Sequence, residues 1–286
     1  MTLREAYGYG SSYLESQDIL EADLDAWYLL EHVTKRSRSD YYAHGEEQLA
    51  PVQIISYKKL LEKRGGRIPL QYITEQQEFM GLSFHVNGEV LIPRQDTETL
   101  VEEVLKDLRP GMRVLDLCTG SGCILISLLT MCPGALGMGT DISPTALAVA
   151  RENAKRLGVQ ADFRKSDMFA RISGEPFDCI VSNPPYIASG EIESLMTEVR
   201  EYEPREALDG GADGLDFYRI LAQEAGSFLK EQGGLYVEIG CDQGRQVSAL
   251  LREAGFSQVA VIRDLCGKDR VVRGTWERQA GRRDFG

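Results

Sequence analysis

The sequence predicts an α/β fold in which helices cover both faces of a mainly parallel sheet, preceded by a smaller helical region. Three observations lead to this prediction. Strand and helix patterns alternate from about residue 110 to the end of the chain. A turn containing Gly120 and Gly122 follows the first of these strands. A later buried strand ends abruptly in Asn-Pro-Pro-Tyr, at residues 183–186.

Length and composition describe an ordinary globular chain. The 286 residues are 43% hydrophobic and 27% charged, and the length favours roughly two domains. No apolar run approaches the ~20 residues that a membrane-spanning helix needs. The first residues lack the basic-then-apolar plan of a secretory signal, so we expect a cytoplasmic protein without membrane contact.

Cysteine, histidine and charge narrow the class of function. The six cysteines form no C-x-x-C pair, and the three histidines have no metal-ligand spacing, so we expect no metal site. A net charge of −12 disfavours a broad grip on nucleic-acid phosphates. We therefore expect no direct binding of nucleic acid.

Residues 1–75 have helical periodicity and predict a small helical domain. Ser16 and Asp18 are candidate helix starts, Ala50-Pro51 begins another helix, and Gly65-Gly66 ends it. An apolar stripe in this domain could bind a partner, but amphipathic helices more often use such a stripe for core packing. The stripe comprises Leu20, Leu24, Trp27, Tyr28, Leu29, Leu30 and Val33.

Residues 76–92 have β character and predict a hairpin that connects two domains. Asn87-Gly88 lies between apolar segments, which is a strong hairpin signal. Pro93 ends the second strand, and residues 93–286 then form the larger domain. Its first helix is expected from Thr97 to Leu108 because the apolar residues recur on one face.

The alternating patterns of the larger domain predict its remaining elements. Strands are expected at 114–117, 137–141, 163–167, 177–183, 234–239, 259–263 and 270–274. Helices are expected at 123–129, from Ser143-Pro144 to Gly158, at 215–229 and at 244–254. This order is typical of a doubly wound parallel sheet.

The Asn-Pro-Pro-Tyr segment predicts a rigid polar clamp at the end of a strand. Proline lacks an N–H, so Pro184 and Pro185 end the strand's pairing and hold Asn183 in an extended conformation. The Asn183 amide and the Pro184 carbonyl can accept hydrogen bonds, and Tyr186 adds a flat face. Such a set suits a planar NH2 group. The alternative is that the prolines merely end a core strand and that Asn183 caps the turn.

The turn from Cys118 to Gly122 predicts a nucleotide-like ligand. Glycine without Cβ lets a ligand approach the backbone at the mouth of a helix. Nineteen residues after Gly122, Asp141 ends the next strand, where a carboxylate can accept both ribose hydroxyls. The alternative is a tight strand-to-helix turn with Asp141 as a helix cap. Cofactor contacts are expected from Cys118, Thr119, Gly120, Ser121, Gly122, Asp141, Asp167, Met168 and Asn183.

The missing third glycine decides between nucleotides. A dinucleotide fingerprint needs glycine three residues after Gly122, where Leu125 stands, so S-adenosylmethionine fits better than a pyrophosphate ligand. Asp167 ends the third strand and is expected to accept from the adenine amino group, with Met168 beside it. The sulfonium methyl group would then lie near Asn183 at the switch point of the sheet.

The chain resembles the protein-(glutamine-N5) methyltransferases that modify peptide chain release factors, over nearly its whole length. The resemblance implies a Rossmann-like class I methyltransferase domain, S-adenosylmethionine as cofactor and a role in translation termination. The chain departs from the family pattern at Cys118, where the commonest loop has glycine, and at Met168, where some members carry an aromatic residue. The resembling segments are 79–84, 90–98, 116–122, Asp141, 183–186, 202–205, 213–219 and 238–240.

The resemblance implies that the acceptor is the glutamine side chain in the Gly-Gly-Gln loop of a class I release factor. Asn183, Pro184 and Tyr186 would then be the catalytic residues, and Pro185 would join them in binding substrate. Asn-Pro-Pro-Tyr also occurs in enzymes that methylate adenine in DNA, so an N6-adenine methyltransferase remains an alternative. A cofactor-binding scaffold without catalysis is the third possibility, prompted by Cys118.

Overall fold

The computed structural model describes residues 1–277, and the chain divides there into two compact units. The first unit comprises residues 1–76 together with 196–202. The second comprises residues 77–195 and the described residues from 203 onward. Within the described residues, no helix is long and apolar enough to cross a membrane.

The described helices and strands are numbered in chain order. The α-helices are α1 Leu3–Glu15, α2 Ala22–Thr34, α3 Arg38–His44, α4 Pro51–Gly65, α5 Leu70–Thr74, α6 Glu98–Asp107, α7 Cys123–Met131, α8 Pro144–Leu157, α9 Thr197–Tyr202, α10 Asp216–Phe228 and α11 Gly244–Ala254. The strands are β1 Gln76–Phe79, β2 Leu82–His85, β3 Arg113–Leu117, β4 Leu136–Asp141, β5 Asp162–Lys165, β6 Phe177–Ser182, β7 Leu229–Glu238, β8 Phe256–Arg263 and β9 Asp269–Trp276. Short 3₁₀ turns lie at Gln95–Thr97, Ile192–Ser194 and Arg205–Ala207.

The helix starts of the first unit differ in part from those expected. Helix α4 begins at Pro51, as expected, and Gly66 caps its end. Ser16 and Asp18 do not begin a helix. Ser16 caps the end of α1, and Asp18 has a φ of 56° in the left-handed region, which a helix cannot continue through.

The core of the first unit takes only part of the expected apolar stripe. Trp27, Leu29 and Leu30 are buried, as expected. The exposed fractions of Leu20, Leu24 and Tyr28 are 85%, 39% and 44%, so the expectation that these side chains pack in the core is wrong. Helix α2 turns Ala22, Ala26, Leu29 and Leu30 inward, and at 3.6 residues per turn Leu24 and Tyr28 then face outward.

Helix α9 packs with the first unit although it lies far along the chain. Glu198 of α9 accepts hydrogen bonds from Arg64 at 3.1 Å and Arg67 at 3.3 Å. Arg64 also donates to Asp25 at 2.6 Å, and both partners are buried. The pattern of residues 1–75 alone gave no sign of this added segment.

The hairpin forms at a different turn from the one expected. Strands β1 and β2 pair across Met80-Gly81, whose φ angles of 51° and 70° are those of a two-residue primed turn. Asn87 and Gly88 do not adopt positive φ and do not join paired strands, so the expectation of a hairpin there is wrong. Asn87 instead begins a turn in which its carbonyl accepts from Val90 N.

The second unit is built on a seven-stranded sheet in the order β5-β4-β3-β6-β7-β9-β8. The first five strands of this order are parallel, whereas β9 pairs antiparallel with both β7 and β8. Strand order reverses between β3 and β6, where Leu117 pairs with Ser182. That register brings Cys118 and Asn183 side by side at the carboxyl edge of the sheet.

Helices cover both faces of this sheet, as the sequence predicts. The sheet separates two clusters of buried apolar side chains. Consecutive residues of β3 point to opposite faces, so Val114 packs in the first cluster and Leu115 in the second. The first cluster includes side chains of α6, α7 and α8, and the second includes side chains of α10 and α11. The mixed α/β fold therefore holds its loops against a rigid layered core.

Candidate active site

A cavity of about 540 Å³ opens at the carboxyl edge of the sheet, around the switch point between β3 and β6. Its volume lies in the range typical of small-molecule sites. Nine of the predicted site residues line it: Cys118, Thr119, Gly120, Ser121, Asp141, Asp167, Met168, Asn183 and Pro185.

The loop after β3 is shaped by three positive φ angles. Cys118, Gly120 and Gly122 have φ of 58°, 51° and 80°. At Gly122 a Cβ would come within 3.2 Å of the Ala150 Cβ, so glycine lets α7 and α8 pack closely behind the loop. Cys118 is the strained member, because a residue with Cβ rarely adopts this conformation.

Asp141 ends β4 and fixes the loop by accepting two backbone hydrogen bonds. Its Oδ2 accepts from Gly120 N and its Oδ1 from Ser143 N, each at 2.9 Å. Burial raises the pKa of Asp141, while these backbone hydrogen bonds oppose the rise. Each carboxylate oxygen has a second acceptor site, so Asp141 can still accept two hydroxyl groups in the cavity.

Met168 also lines the cavity and contacts the loop after β3. Its Sδ is 3.8 Å from the Cys118 Sγ, and its φ of 43° is also left-handed. The Met168 carbonyl accepts from the Ser166 hydroxyl at 2.8 Å, which holds the turn after β5. Asp167 of this turn also lines the cavity.

Asn183 follows the last residue of β6 and has one end of its amide engaged. Its Nδ2 donates to the Thr97 hydroxyl at 3.4 Å. Within residues 1–277, neither the Asn183 Oδ1 nor the Pro184 carbonyl accepts a hydrogen bond from another protein group. Both acceptors of the predicted clamp are therefore without a protein partner among the described residues, and Asn183 itself lines the cavity.

Three predicted site residues do not line the cavity: Gly122, Pro184 and Tyr186. Tyr186 packs its half-buried ring against the second core cluster, and burial raises its pKa to about 12. Its backbone is fixed, since its carbonyl accepts from Gln243 Nε2 at 2.9 Å. A Cβ at Gly210 would lie 2.8 Å from the Tyr186 Cα, so the loop that contains Gly210 needs glycine where it passes the Tyr186 backbone.

Comparison with known proteins shows the family. Residues 5–74 match the sequence family described as "PrmC N-terminal domain", and residues 95–264 match "Methyltransferase small domain". The release factor glutamine methyltransferase of Geobacter sulfurreducens is 41% identical over 273 residues, 96% of each chain. That of Moorella thermoacetica is 43% identical over 94% of this chain and 97% of its own. The chain belongs to the release factor glutamine methyltransferase family.

Family membership confirms the enzyme class and cofactor expected from the sequence. The chain is an S-adenosylmethionine-dependent protein-glutamine methyltransferase. A methyltransferase from Pyrococcus furiosus has the same fold, with a TM-score of 0.54 and 19% identity over 76% of this chain and 99% of its own. The cofactor fits the cavity on structural grounds, because the glycine turn and the spare acceptor sites of Asp141 suit a ribose.

The cavity also uses residues that the sequence analysis did not assign to the site. Pro93, Arg94 and Thr97 come from the segment before α6, and Pro204, Glu206, Ala207, Asp209 and Phe217 come from the segment around α10. The segments 90–98, 202–205 and 213–219, which carried the family resemblance, include Pro93, Arg94, Thr97, Pro204 and Phe217, whereas Glu206, Ala207 and Asp209 lie outside them. No local sequence pattern predicts that these residues lie at the switch point, because only the tertiary packing of the chain places them there.

The charges around the cavity are mostly negative. Among the described residues that line it, Arg94 is the basic one, and it pairs with buried Glu203. The acidic ones are Glu89, Asp141, Asp167, Glu206 and Asp209. Such a lining favours a cationic ligand such as a sulfonium over a polyanion.

Proposed function

We propose that this enzyme methylates the side-chain nitrogen of the glutamine in the Gly-Gly-Gln loop of a class I peptide chain release factor, in the cytoplasm. One observation carries the proposal. Asn183 lines the cavity next to the β3 loop, and neither its Oδ1 nor the carbonyl of the following Pro184 has a protein partner among the described residues. A glutamine side chain carries two N–H donors on one nitrogen, which matches two acceptors.

In this proposal the loop residues hold the cofactor and the Asn-Pro-Pro-Tyr segment holds the substrate. Asp141 accepts the ribose hydroxyls, Asp167 accepts the adenine amino group, and Met168 packs on the ring. The backbone of Cys118, Thr119, Gly120, Ser121 and Gly122 contacts the rest of the nucleoside and the amino-acid part. Asn183, Pro184, Pro185 and Tyr186 contact the substrate amide.

The chemistry requires positioning more than activation by a base. An amide nitrogen is a weak nucleophile because its lone pair is delocalised into the carbonyl. S-adenosylmethionine supplies an electrophilic methyl group on a sulfonium. Hydrogen bonds to Asn183 and Pro184 aim the nitrogen and stabilise the positive charge that develops on it during transfer. The proton becomes acidic only after the methyl group has moved.

The acidic cavity lining and the net charge of −12 disfavour the alternative of adenine methylation in nucleic acid. Mass spectrometry separates the two. Incubation with S-adenosylmethionine and a release factor is expected to add one methyl group to the Gly-Gly-Gln peptide. A release factor with glutamine replaced by glutamate is the control and should remain unmodified. Methyl transfer to DNA but not to either release factor would refute the proposal.

We also propose that the helical unit, residues 1–75 with α9, docks the release factor. Leu24 and Tyr28 are exposed one turn apart on α2, and Leu20 lies just before that helix. Such apolar exposure is typical of an interaction surface. Replacing Leu20 and Tyr28 by serine should raise KM for an intact release factor but not for a short Gly-Gly-Gln peptide. Equal effects on both substrates would contradict docking.

A further inference from the structure

We propose that Glu203 is a positioning residue for the cofactor, because its ion pair with Arg94 holds two walls of the cavity together. The 93–97 wall consists of Pro93, Arg94 and Thr97. The 204–209 wall consists of Pro204, Glu206, Ala207 and Asp209. Glu203 does not itself line the cavity, so it acts on a bound ligand through Arg94 and through the wall that follows it.

The ion pair joins two segments that are 109 positions apart in the chain. The Arg94 Nη2 donates to the Glu203 Oε1. Arg94 precedes the 3₁₀ turn before α6, and Glu203 lies between α9 and Pro204. The Glu203 side chain is 2% exposed and that of Arg94 is 38% exposed, so the carboxylate is shielded from water while the guanidinium reaches the cavity. A charge-assisted hydrogen bond is strong in such surroundings.

The Glu203 carboxylate depends on Arg94. Among the described residues, Arg94 is its hydrogen-bond partner, and the Glu203 Oε2 has none. Burial raises the pKa of Glu203, while the charge of Arg94 beside it opposes the rise. Apolar residues in place of such a buried pair are often neutral for stability. The pair is therefore better explained by the geometry that it fixes between the two segments.

The far end of the 204–209 wall has anchors of its own. The Ile187 N–H donates to the Leu208 carbonyl at 3.0 Å, and the Gly210 N–H donates to the Ile187 carbonyl at 2.8 Å. Ile187 directly follows the Asn-Pro-Pro-Tyr segment. At the start of the wall Pro204 has no N–H to donate, and the Glu203 side chain ties this end to the 93–97 wall.

Loss of the ion pair should loosen the start of the 204–209 wall and so weaken cofactor binding. When only a fraction of the molecules is competent to bind, the apparent Kd rises by the inverse of that fraction. A wall that is in place about a tenth of the time therefore gives about a tenfold higher Kd. Cofactor affinity reports this effect directly, whatever the methyl acceptor is.

The test removes each partner of the pair and both together. Glu203→Leu removes the acceptor, Arg94→Met removes the donors, and the double variant leaves no unpaired charge. Glu103→Leu is the matched control, because Glu103 pairs with Arg273 at 3.0 Å, these side chains are 5% and 38% exposed, and neither lines the cavity. Calorimetry at about pH 8, where carboxylates are ionised, measures the Kd of S-adenosylhomocysteine, which the enzyme cannot turn over. Thermal unfolding without ligand gives Tm.

We expect about a tenfold rise in Kd for Glu203→Leu, for Arg94→Met and for the double variant, because all three lose the same contact. Glu203→Gln keeps an acceptor without the charge and should raise Kd by about threefold. Glu103→Leu should stay within about twofold of the parent Kd although its Tm falls as much as that of Glu203→Leu, because its ion pair holds no wall of the cavity.

Three results would overturn the role of Glu203. The first is the parent Kd in folded Glu203→Leu, or in Glu203→Gln if the leucine variant does not fold. The second is weak binding in Arg94→Met with parent affinity in Glu203→Leu, which would show that Arg94 contacts the ligand without help from Glu203. The third is an equal loss of affinity in Glu103→Leu, which would trace the effect to lowered stability.

Discussion

The backbone N–H of Gly120 donates to the Asp141 Oδ2 at 2.9 Å, and this contact joins the loop after β3 to the end of β4. Asp141 thus shapes the loop in addition to offering acceptors to a ribose. The second oxygen of the same carboxylate accepts from Ser143 N, so both oxygens are oriented by backbone groups. A change at Asp141 should therefore affect the loop and the ligand together.

Asp141→Ala should weaken S-adenosylmethionine binding by about 10- to 100-fold, because it removes charged acceptors for two hydroxyls and releases Gly120 N. Isothermal titration calorimetry measures the affinity. Asp162→Ala, at an exposed residue of β5, is the matched control and should bind normally. Unchanged affinity in Asp141→Ala would exclude this residue from the cofactor site.

Cys118 should tolerate glycine better than valine because its φ of 58° is left-handed. Cys118→Gly relieves strain but adds freedom to the unfolded chain, so the free energy of unfolding should change by less than about 1 kcal/mol. Cys118→Val should lose roughly 2 kcal/mol or more, since a β-branched residue is poorly accommodated there. Urea unfolding measures both. Cys179→Val, in strand β6, should cost less than Cys118→Val; the reverse order would argue against backbone strain at Cys118.

Asn183→Ala should lower kcat by about 100-fold with little change in cofactor affinity, because it removes an interaction made in the transition state. Steady-state rates and melting temperatures test this. If Asn183 only caps a turn, the variant instead loses roughly 1 kcal/mol of stability and keeps its turnover. Asn183→Asp is a sharper probe, since it keeps the shape but adds a charge that attracts the sulfonium.

Asp116 should make stability fall as pH rises. This residue of β3 is fully buried, and burial raises its pKa from 3.8 to about 7 although Thr119 donates to it. The folded state then binds the proton more tightly than the unfolded chain, so the contribution is complete below about pH 4 and lost by about pH 7.

Asp116→Asn should therefore flatten the decline in unfolding free energy between about pH 4 and pH 7, measured by urea unfolding at several pH values. Some slope should remain, because the pKa of Glu238 is also raised to about 7 by burial. Asp162→Asn, at an exposed position, should leave the slope unchanged. An equal slope in Asp116→Asn and the parent would rule out the proposed titration.

The sequence predicted the larger domain well where local rules determine structure. Helix α11 spans the expected residues 244–254, and Asp141 and Asn183 lie at strand ends as predicted. Such positions follow from hydrophobic patterns and proline chemistry. The hairpin turn was misplaced because Met80-Gly81 is a weaker signal than Asn87-Gly88, although only the former has the required φ angles.

Contacts between residues that are distant in the chain could not be predicted from the sequence patterns. Thr97 and Asn183 are 86 positions apart, and nothing in either segment specifies the other. The antiparallel insertion of β9 between β7 and β8 is likewise a property of the whole sheet, because its own pattern reads only as a strand. The segments that carried the family resemblance contain some of the added cavity residues, but neither resemblance nor periodicity assigned those residues to the site.

Helix α9 has a consequence for the order of events during synthesis. The first 76 residues leave the ribosome well before residues 196–202, yet Glu198 supplies a partner for the buried Arg64. Until that segment emerges, Arg64 has Asp25 but lacks its second carboxylate. The nascent helical unit therefore gains the Glu198 carboxylate, which pairs with Arg64 and Arg67, only after four of the seven strands of the catalytic sheet have been synthesised. Its cooperative folding is thereby coupled to elongation of a domain encoded downstream.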